Sequence, residues 1–146
     1  MRAVIEKAVN RECGSHGELE IKIAVAEDLR VMAEPELLVR AFGNILRNAI
    51  RYAGHAGPIT ISAAQAGASG NVSIEDCGPG IPEAAIAQVF DPFYRVDTSR
   101  DRETGGVGLG LSIVKTCIES CGGTVRCENR ETGGLRVTAK LPAVAT

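Results

Sequence analysis

Tryptophan is absent from the sequence, and only five of its 146 residues are Phe or Tyr. A hydrophobic core must therefore be built from Val, Ile, Leu and Ala, which supply much of the chain's 45% hydrophobic content. There are two histidines, His16 and His55, and the five cysteines, Cys13, Cys77, Cys117, Cys121 and Cys127, are odd in number with no C-x-x-C pair. That spacing argues against a zinc site or a disulfide framework and for small apolar residues in a reducing compartment. No apolar run of about 18 residues and no signal pattern occurs, so this stretch is expected neither to span a membrane nor to be exported. Formal net charge is −2, which gives no electrostatic reason to expect a nucleic-acid partner. The length suits one domain over residues 1–146.

Periodicity supplies an element order. Met1 to Glu12 reads as a short amphipathic helix, and Leu19, Ile21, Ile23 and Val25 alternate as a half-buried strand. Leu29 to Ala33 is expected to form a second short strand. Glu34-Pro35-Glu36 has the proline and acids of a first helical turn. The helix it opens carries a continuous apolar stripe, Leu38, Ala41, Phe42, Ile45, Leu46, Ala49 and Ile50, as far as Ala53. Ile59 to Ala64 and Val72 to Asp76 read as strands joined by a turn at Gly67 to Gly70. Pro82 to Val89 is predicted to be a short helix, residues 91–106 a long mobile loop, and Gly108 to Cys121 a helix stopped by Gly122-Gly123. Thr124 to Glu128 and Leu135 to Leu141 close as a hairpin. This order implies an α/β two-layer sandwich, a mixed sheet with helices on one face.

Four groups of residues carry chemistry. Arg40, Asn44, Asn48, Arg51 and Tyr52 lie on the helix face opposite the apolar stripe, and Asn48 offers a neutral hard oxygen of the kind magnesium accepts. A solvated polar face would look the same in isolation. Asp76-Cys77-Gly78-Pro79-Gly80-Ile81 sits at a strand end, where a carboxylate can accept an exocyclic amine such as that of adenine. Turns made of Asp and Gly are common for other reasons. Gly105-Gly106-Val107-Gly108-Leu109-Gly110-Leu111 runs into a helix and offers backbone N–H groups to phosphates. It lacks the G-K-[ST] of a P-loop and the preceding strand of a dinucleotide-binding fingerprint. Finally, Phe90, Phe93 and Tyr94 are three of the five Phe and Tyr residues, and Arg95, Arg100 and Arg102 follow them among acids. These arginines suit phosphate oxygens or a solvated charged loop equally.

In this order and spacing the four blocks resemble the N, G1, F and G2 boxes of bacterial sensor histidine kinases. The matching stretches are Asn44-Ile45-Leu46-Arg47-Asn48-Ala49, Asp76-x-Gly78-x-Gly80, Phe90-Asp91-Pro92-Phe93-Tyr94-Arg95, and Gly105 to Leu111. Phe93 to Val114 looks closest to the envelope-stress type of Gram-negative sensor kinase. The resemblance covers about Leu19 to Leu141 and implies the Bergerat ATP-binding fold, shared with gyrase, Hsp90 and MutL-type ATPases of the GHKL superfamily. It implies ATP and Mg2+ as ligands, with Asn48 on the metal and Asp76 on the adenine amine. Tyr52 would lie near the base and Arg51 near the phosphates. Gly78, Gly80 and Ile81 would shape the turn, and Phe93, Tyr94, Arg95, Arg100, Arg102, Gly106, Val107, Gly108, Leu109, Gly110 and Leu111 the lid and phosphate site. The ATPase branches carry a water-activating glutamate where this chain has Asn44, and an amide is no general base.

The family's phosphoacceptor histidine, with its acidic neighbour, lies on a separate helical hairpin, and neither His16 nor His55 has that motif around it. The expectation is a protein-histidine kinase catalytic domain, monomeric and without its dimerisation hairpin. It would be the cytoplasmic part of an inner-membrane sensor that reaches a response regulator only through the full-length protein. Alternatives are a non-catalytic nucleotide-binding module and a Bergerat-fold ATPase or anti-sigma-type serine kinase.

Overall fold

A computed structural model of the chain describes residues 1–14, 19–53, 56–92 and 110–144. Among these residues three α-helices run over Arg2–Cys13 (α1), Pro35–Ala53 (α2) and Gly110–Ser120 (α3). Five strands, Ile21–Val25 (β1), Ile59–Ala66 (β2), Ser69–Glu75 (β3), Thr124–Asn129 (β4) and Leu135–Pro142 (β5), form one sheet in the order β1-β2-β3-β5-β4. β1 runs parallel to β2, as a crossover through α2 allows, and every other pairing is antiparallel. The sheet is therefore mixed, as the element order implied.

Strand alternation decides which face the helices cover. Register aligns Ile23, Ile61, Ile74, Val137 and Cys127 across all five strands. Ile61, Ile74, Val137 and Cys127 of that row are buried, and they join Phe42, Ile45 and Leu46 of α2 in one core. The opposite face carries Thr60, Glu75, Arg136 and Glu128 in register. There Glu75 pairs with Arg136 at 3.1 Å and Arg136 with Glu128 at 3.2 Å. One apolar and one charged face make this a two-layer rather than a three-layer structure.

α2 is the central helix. The predicted stripe from Leu38 to Ala49 is buried, and Ile50 is half-buried. Val39 and Gly43 are buried as well, because α1 lies against a second side of the helix. A Cβ on Gly43 would come within 3.2 Å of Glu12 Oε2. That carboxylate, on a side chain only 11% exposed, takes a two-pronged pair from Arg47, Nε to Oε1 at 3.1 Å and Nη2 to Oε2 at 3.0 Å. α3 buries Val114, Cys117 and Ile118 and ends at Gly122, whose φ of +78° is the left-handed stop that glycine accepts without strain.

Two expectations differ from the fold. Leu29 to Ala33 forms no strand but a single antiparallel bridge, Val31 to Ala143. Only Leu29 of that stretch is buried, whereas Met32 is exposed, so there is no second buried row to extend a ladder. The turn between β2 and β3 is just Gly67 and Ala68, since Ala66 already pairs with Ser69. Gly70 belongs to the strand, where a side chain would strike Val31 Cγ1 at 2.6 Å. The short helix expected after Pro82 is present, as a 3-10 helix over Glu83–Gln88 with Ala85 its buried residue.

All five cysteines are free. Burial pushes the Cys127 thiol up to about 11 from its ordinary 9.0, and the Glu128 charge adds to the shift. The folded chain thus holds this proton at a pH where the unfolded chain releases it. Stability should fall as pH rises from about 9 towards 11. Urea midpoints measured across that window should drop less steeply for Cys127→Ala than for the native sequence; parallel slopes would contradict the burial argument.

Candidate functional site

Asp76 follows β3 directly and is the one buried carboxylate among the described residues, at 8% exposure. A buried carboxylate must be supplied with donors. Its Oδ1 accepts from the Gly78 N–H at 3.0 Å and the Leu135 N–H at 3.1 Å, while its own N–H donates to the Leu135 carbonyl at 3.0 Å. The first of these bonds folds the chain into a tight turn over Cys77 and Gly78. Gly78 then presses against the end of α2: a Cβ there would lie 2.5 Å from the Ala53 Cβ and 3.3 Å from the Tyr52 carbonyl. Gly80 has φ +71°, and a Cβ on it would meet Asn129 Oδ1 at 2.5 Å.

At the other side of the same stretch of α2, Asn48 faces the first residue of α3. A Cβ on Gly110 would stand 3.3 Å from Asn48 Nδ2 and 3.5 Å from its Oδ1. From Asn48 to Ala53 is five residues, about 7.5 Å along a helix axis. The Asp76 turn and the N-terminus of α3 therefore both meet α2 within its last two turns. Asn44, one turn earlier, is half-buried and donates from Nδ2 to the Arg40 carbonyl at 2.8 Å, leaving its oxygen turned away from the helix backbone. Arg51 and Tyr52 are half-buried on the same helix, Ile81 is half-buried after the turn, and Leu111 packs partly against the core from α3.

Phe93, Tyr94, Arg95, Arg100, Arg102, Gly106, Val107, Gly108 and Leu109 lie outside the described residues, as do His16 and His55. Phe90, first of the aromatic group, packs on the core. Among the described residues no three His, Cys, Asp or Glu side chains cluster to hold a metal, and no helix is long and apolar enough to cross a membrane. The donor chemistry at hand, a neutral amide oxygen on Asn48 beside a glycine that leaves room for it, suits a hard cation shared with phosphate oxygens.

Two residues that sequence reasoning passed over bind the turn from the sheet side. The Asn129 amide accepts from the Ile81 N–H at 2.9 Å and donates to the Ile81 carbonyl at 2.6 Å. Arg130 Nη1 donates to the Asp76 carbonyl at 2.6 Å, and its Nε pairs with Glu75 at 3.0 Å. The one sequence signal nearby is the doubled glycine Gly133-Gly134, both at positive φ (+100° and +99°).

The family model for histidine kinase-, DNA gyrase B-, and HSP90-like ATPases matches residues 33–145. The chain belongs to this family. That stretch of the family match begins just before α2 and takes in both the Asp76 turn and α3. The chain is 34% identical over 143 residues to the sensor-like histidine kinase SenX3 of Mycobacterium bovis, covering 97% of this chain and 35% of that protein. It is 42% identical over 108 residues to the sensor histidine kinase CpxA of Escherichia coli K12, covering 74% of this chain and 23% of CpxA. Among solved structures, the mycobacterial sensor histidine kinase MprB superposes with a TM-score of 0.87 at 27% identity, over 100% of this chain and 96% of that one. The chain thus spans about a third or less of the length of the curated relatives it matches. Its fold is that of histidine kinase catalytic domains.

The adjoining glycines of the β4–β5 hairpin give a local test of how tightly the turn is held. At Gly134 a side chain would collide with the Asp76 carbonyl, whereas at Gly133 it would meet nothing within 4 Å. Gly133→Ala should cost only the strain of a positive φ, about 1 kcal/mol. Gly134→Ala should cost several times that, on the order of 3–5 kcal/mol, through displacement of the turn. Chemical denaturation measures both, and equal costs would mean the hairpin yields freely.

Proposed function

We propose that this chain is a single catalytic domain that binds Mg-ATP and offers the γ-phosphate to a histidine on a separate helical hairpin of its parent protein. The observation that carries the reading is the meeting, on the last two turns of α2, of a backbone-satisfied buried carboxylate with an amide that faces a glycine helix start.

In this reading each group has one task. With Oδ1 of Asp76 committed to the turn, its second oxygen accepts the exocyclic amine of adenine. Ile81 and Tyr52 flank the base, with Gly78 and Gly80 letting the backbone come close. Gly110 and Leu111 place the N-terminus of α3 towards the phosphates, where first-turn N–H groups favour anions. Asn48 holds the magnesium ion, which when bound neutralises and orients the phosphate oxygens. Arg51 adds positive charge beside them. The residues outside the described segments take their roles from sequence. Phe93, Tyr94, Arg95, Arg100 and Arg102 belong to a lid, and Gly106, Val107, Gly108 and Leu109 continue the phosphate site. Asn44 supplies no base, so the chain positions the phosphoryl group without activating water.

The acceptor histidine, the dimer contact and the route to a response regulator all belong to the parent protein. The parent is read as an inner-membrane sensor with this domain in the cytoplasm, and the domain alone is a monomer. The similarity to sensor kinases over a minor share of their length supports this division of labour.

Two measurements test the proposal. A fluorescent ATP analogue should bind the chain in a magnesium-dependent way, with Asp76→Asn weakening it about tenfold or more, roughly 1.4 kcal/mol, and Asn48→Ala abolishing the magnesium dependence. Unchanged affinity for Asp76→Asn removes the adenine assignment. Then the chain is mixed with the phosphoacceptor hairpin and radiolabelled ATP. Acid-labile label on the hairpin is expected. No label would indicate a nucleotide-binding scaffold, acid-stable label a serine kinase, and free phosphate alone an ATPase.

A further inference from the structure

We infer that Asn129 and Arg130, at the mouth of the β4–β5 hairpin, are positioning residues that set the purine-reading turn and thereby select adenine. This rests on the reading of Asp76 given above and extends it to residues of the sheet.

The two side chains hold the turn at both of its ends. Asn129 engages both backbone groups of Ile81 with one amide, at 2.9 and 2.6 Å, and its Nδ2 also reaches Glu83 Oε1 at 3.1 Å. Arg130 ties the other end: its Nη1 lies 2.6 Å from the Asp76 carbonyl and 3.6 Å from Cys77 Sγ, while its Nε holds Glu75 at 3.0 Å. Between these two clamps lie Gly78 and Gly80, the most deformable part of the segment.

These contacts are not needed to close the hairpin. It closes through its own backbone, Arg130 N–H to the Gly134 carbonyl at 2.9 Å and Gly133 N–H to the Arg130 carbonyl at 3.1 Å. The side chains are thus free to face the turn. The Glu75–Arg130 pair is fairly well shielded, with side chains 21% and 22% exposed, so it is less screened than a surface ion pair. A planar guanidinium can serve the carboxylate and the carbonyl together, which a single ammonium does poorly. A carboxylate reads a purine edge only when held within about 0.5 Å of the productive position. Release at either clamp lets the glycines relax and blurs that position, while leaving the phosphate side on α2 and α3 untouched.

The test compares ATP with inosine triphosphate, which keeps the sugar and phosphates but replaces the amine with a carbonyl oxygen. Native chain should prefer ATP, and Asp76→Asn should abolish the preference. Arg130→Ala and Asn129→Ala should each lower the ATP-to-ITP affinity ratio about five- to tenfold while ITP affinity changes less than twofold. Thermal melts establish that each variant is folded; if Arg130→Ala is not, Asn129→Ala carries the test. Folded variants that retain the native ratio, or that weaken both nucleotides equally, overturn the inference while the Asp76 reading stands. Should Asp76→Asn also retain the ratio, that reading falls and the inference with it.

Discussion

A carboxylate buried at the end of a strand, and fed by two backbone N–H groups, dictates the neighbourhood of the candidate site. An unsatisfied buried carboxylate would be severely destabilising, so the chain after β3 must fold back for Gly78 N–H to reach Asp76, and β5 must begin where Leu135 N–H can do the same. Each requirement removes side chains from the surroundings. Gly78 has no room beside Ala53, Gly80 none beside Asn129, and Gly134 none beside the Asp76 carbonyl. The glycines of the D-x-G-x-G segment and of the distant hairpin thus share one cause.

The second constraint is that one helix serves four neighbours. α2 presents Phe42, Ile45 and Leu46 to the core, Gly43 and Arg47 to α1, Asn48 to α3, and Ala53 to the Asp76 turn. At 3.6 residues per turn a helix of 19 residues has room for these faces only if polar positions are confined to narrow strips. The two asparagines occupy such a strip because the apolar residues have taken the rest. Site and core are therefore mechanically continuous: what fixes α2 against the sheet also fixes Asn48 relative to Asp76.

Legibility in the sequence followed the range of the interaction. The α2 stripe and the alternation in β1, β2, β3 and β5 repeat within a few residues, and they located the mixed sheet and its covered face. Leu29 to Ala33 misled because an apolar stretch reads as a strand whether or not a partner exists; its partner, Ala143, is more than a hundred residues away. Gly67 to Gly70 looked like one long turn because glycine serves both turns and close packing, and only the contact with Val31 tells them apart. Asn129 and Arg130 were invisible for the same reason: their partners Ile81 and Asp76 are 48 and 54 residues away, and an Asn-Arg pair at a hairpin carries no local signature of such contacts. The motif residues from 93 to 109 were legible only as a pattern and lie outside the described residues.

Asn44 bears on what the proposed site can do with a bound triphosphate. Its Nδ2 is tied to the helix through the Arg40 carbonyl, so the group it can turn outward is a neutral carbonyl oxygen. Such an oxygen accepts a hydrogen bond from water without removing a proton, because a protonated amide is far too acidic to persist near neutral pH. A glutamate at the same place on the helix face could take the proton. Without a base, a water molecule near the γ-phosphate gains little nucleophilicity. A triphosphate held by Asn48 and the α3 amides would then persist until a better nucleophile reaches it. An imidazole carried in from another domain is such a nucleophile, since its neutral nitrogen needs no deprotonation before attack. In the proposed function, slow hydrolysis and competence for transfer to histidine would both follow from one choice of side-chain chemistry, made on a helix whose position the rest of the fold already fixes.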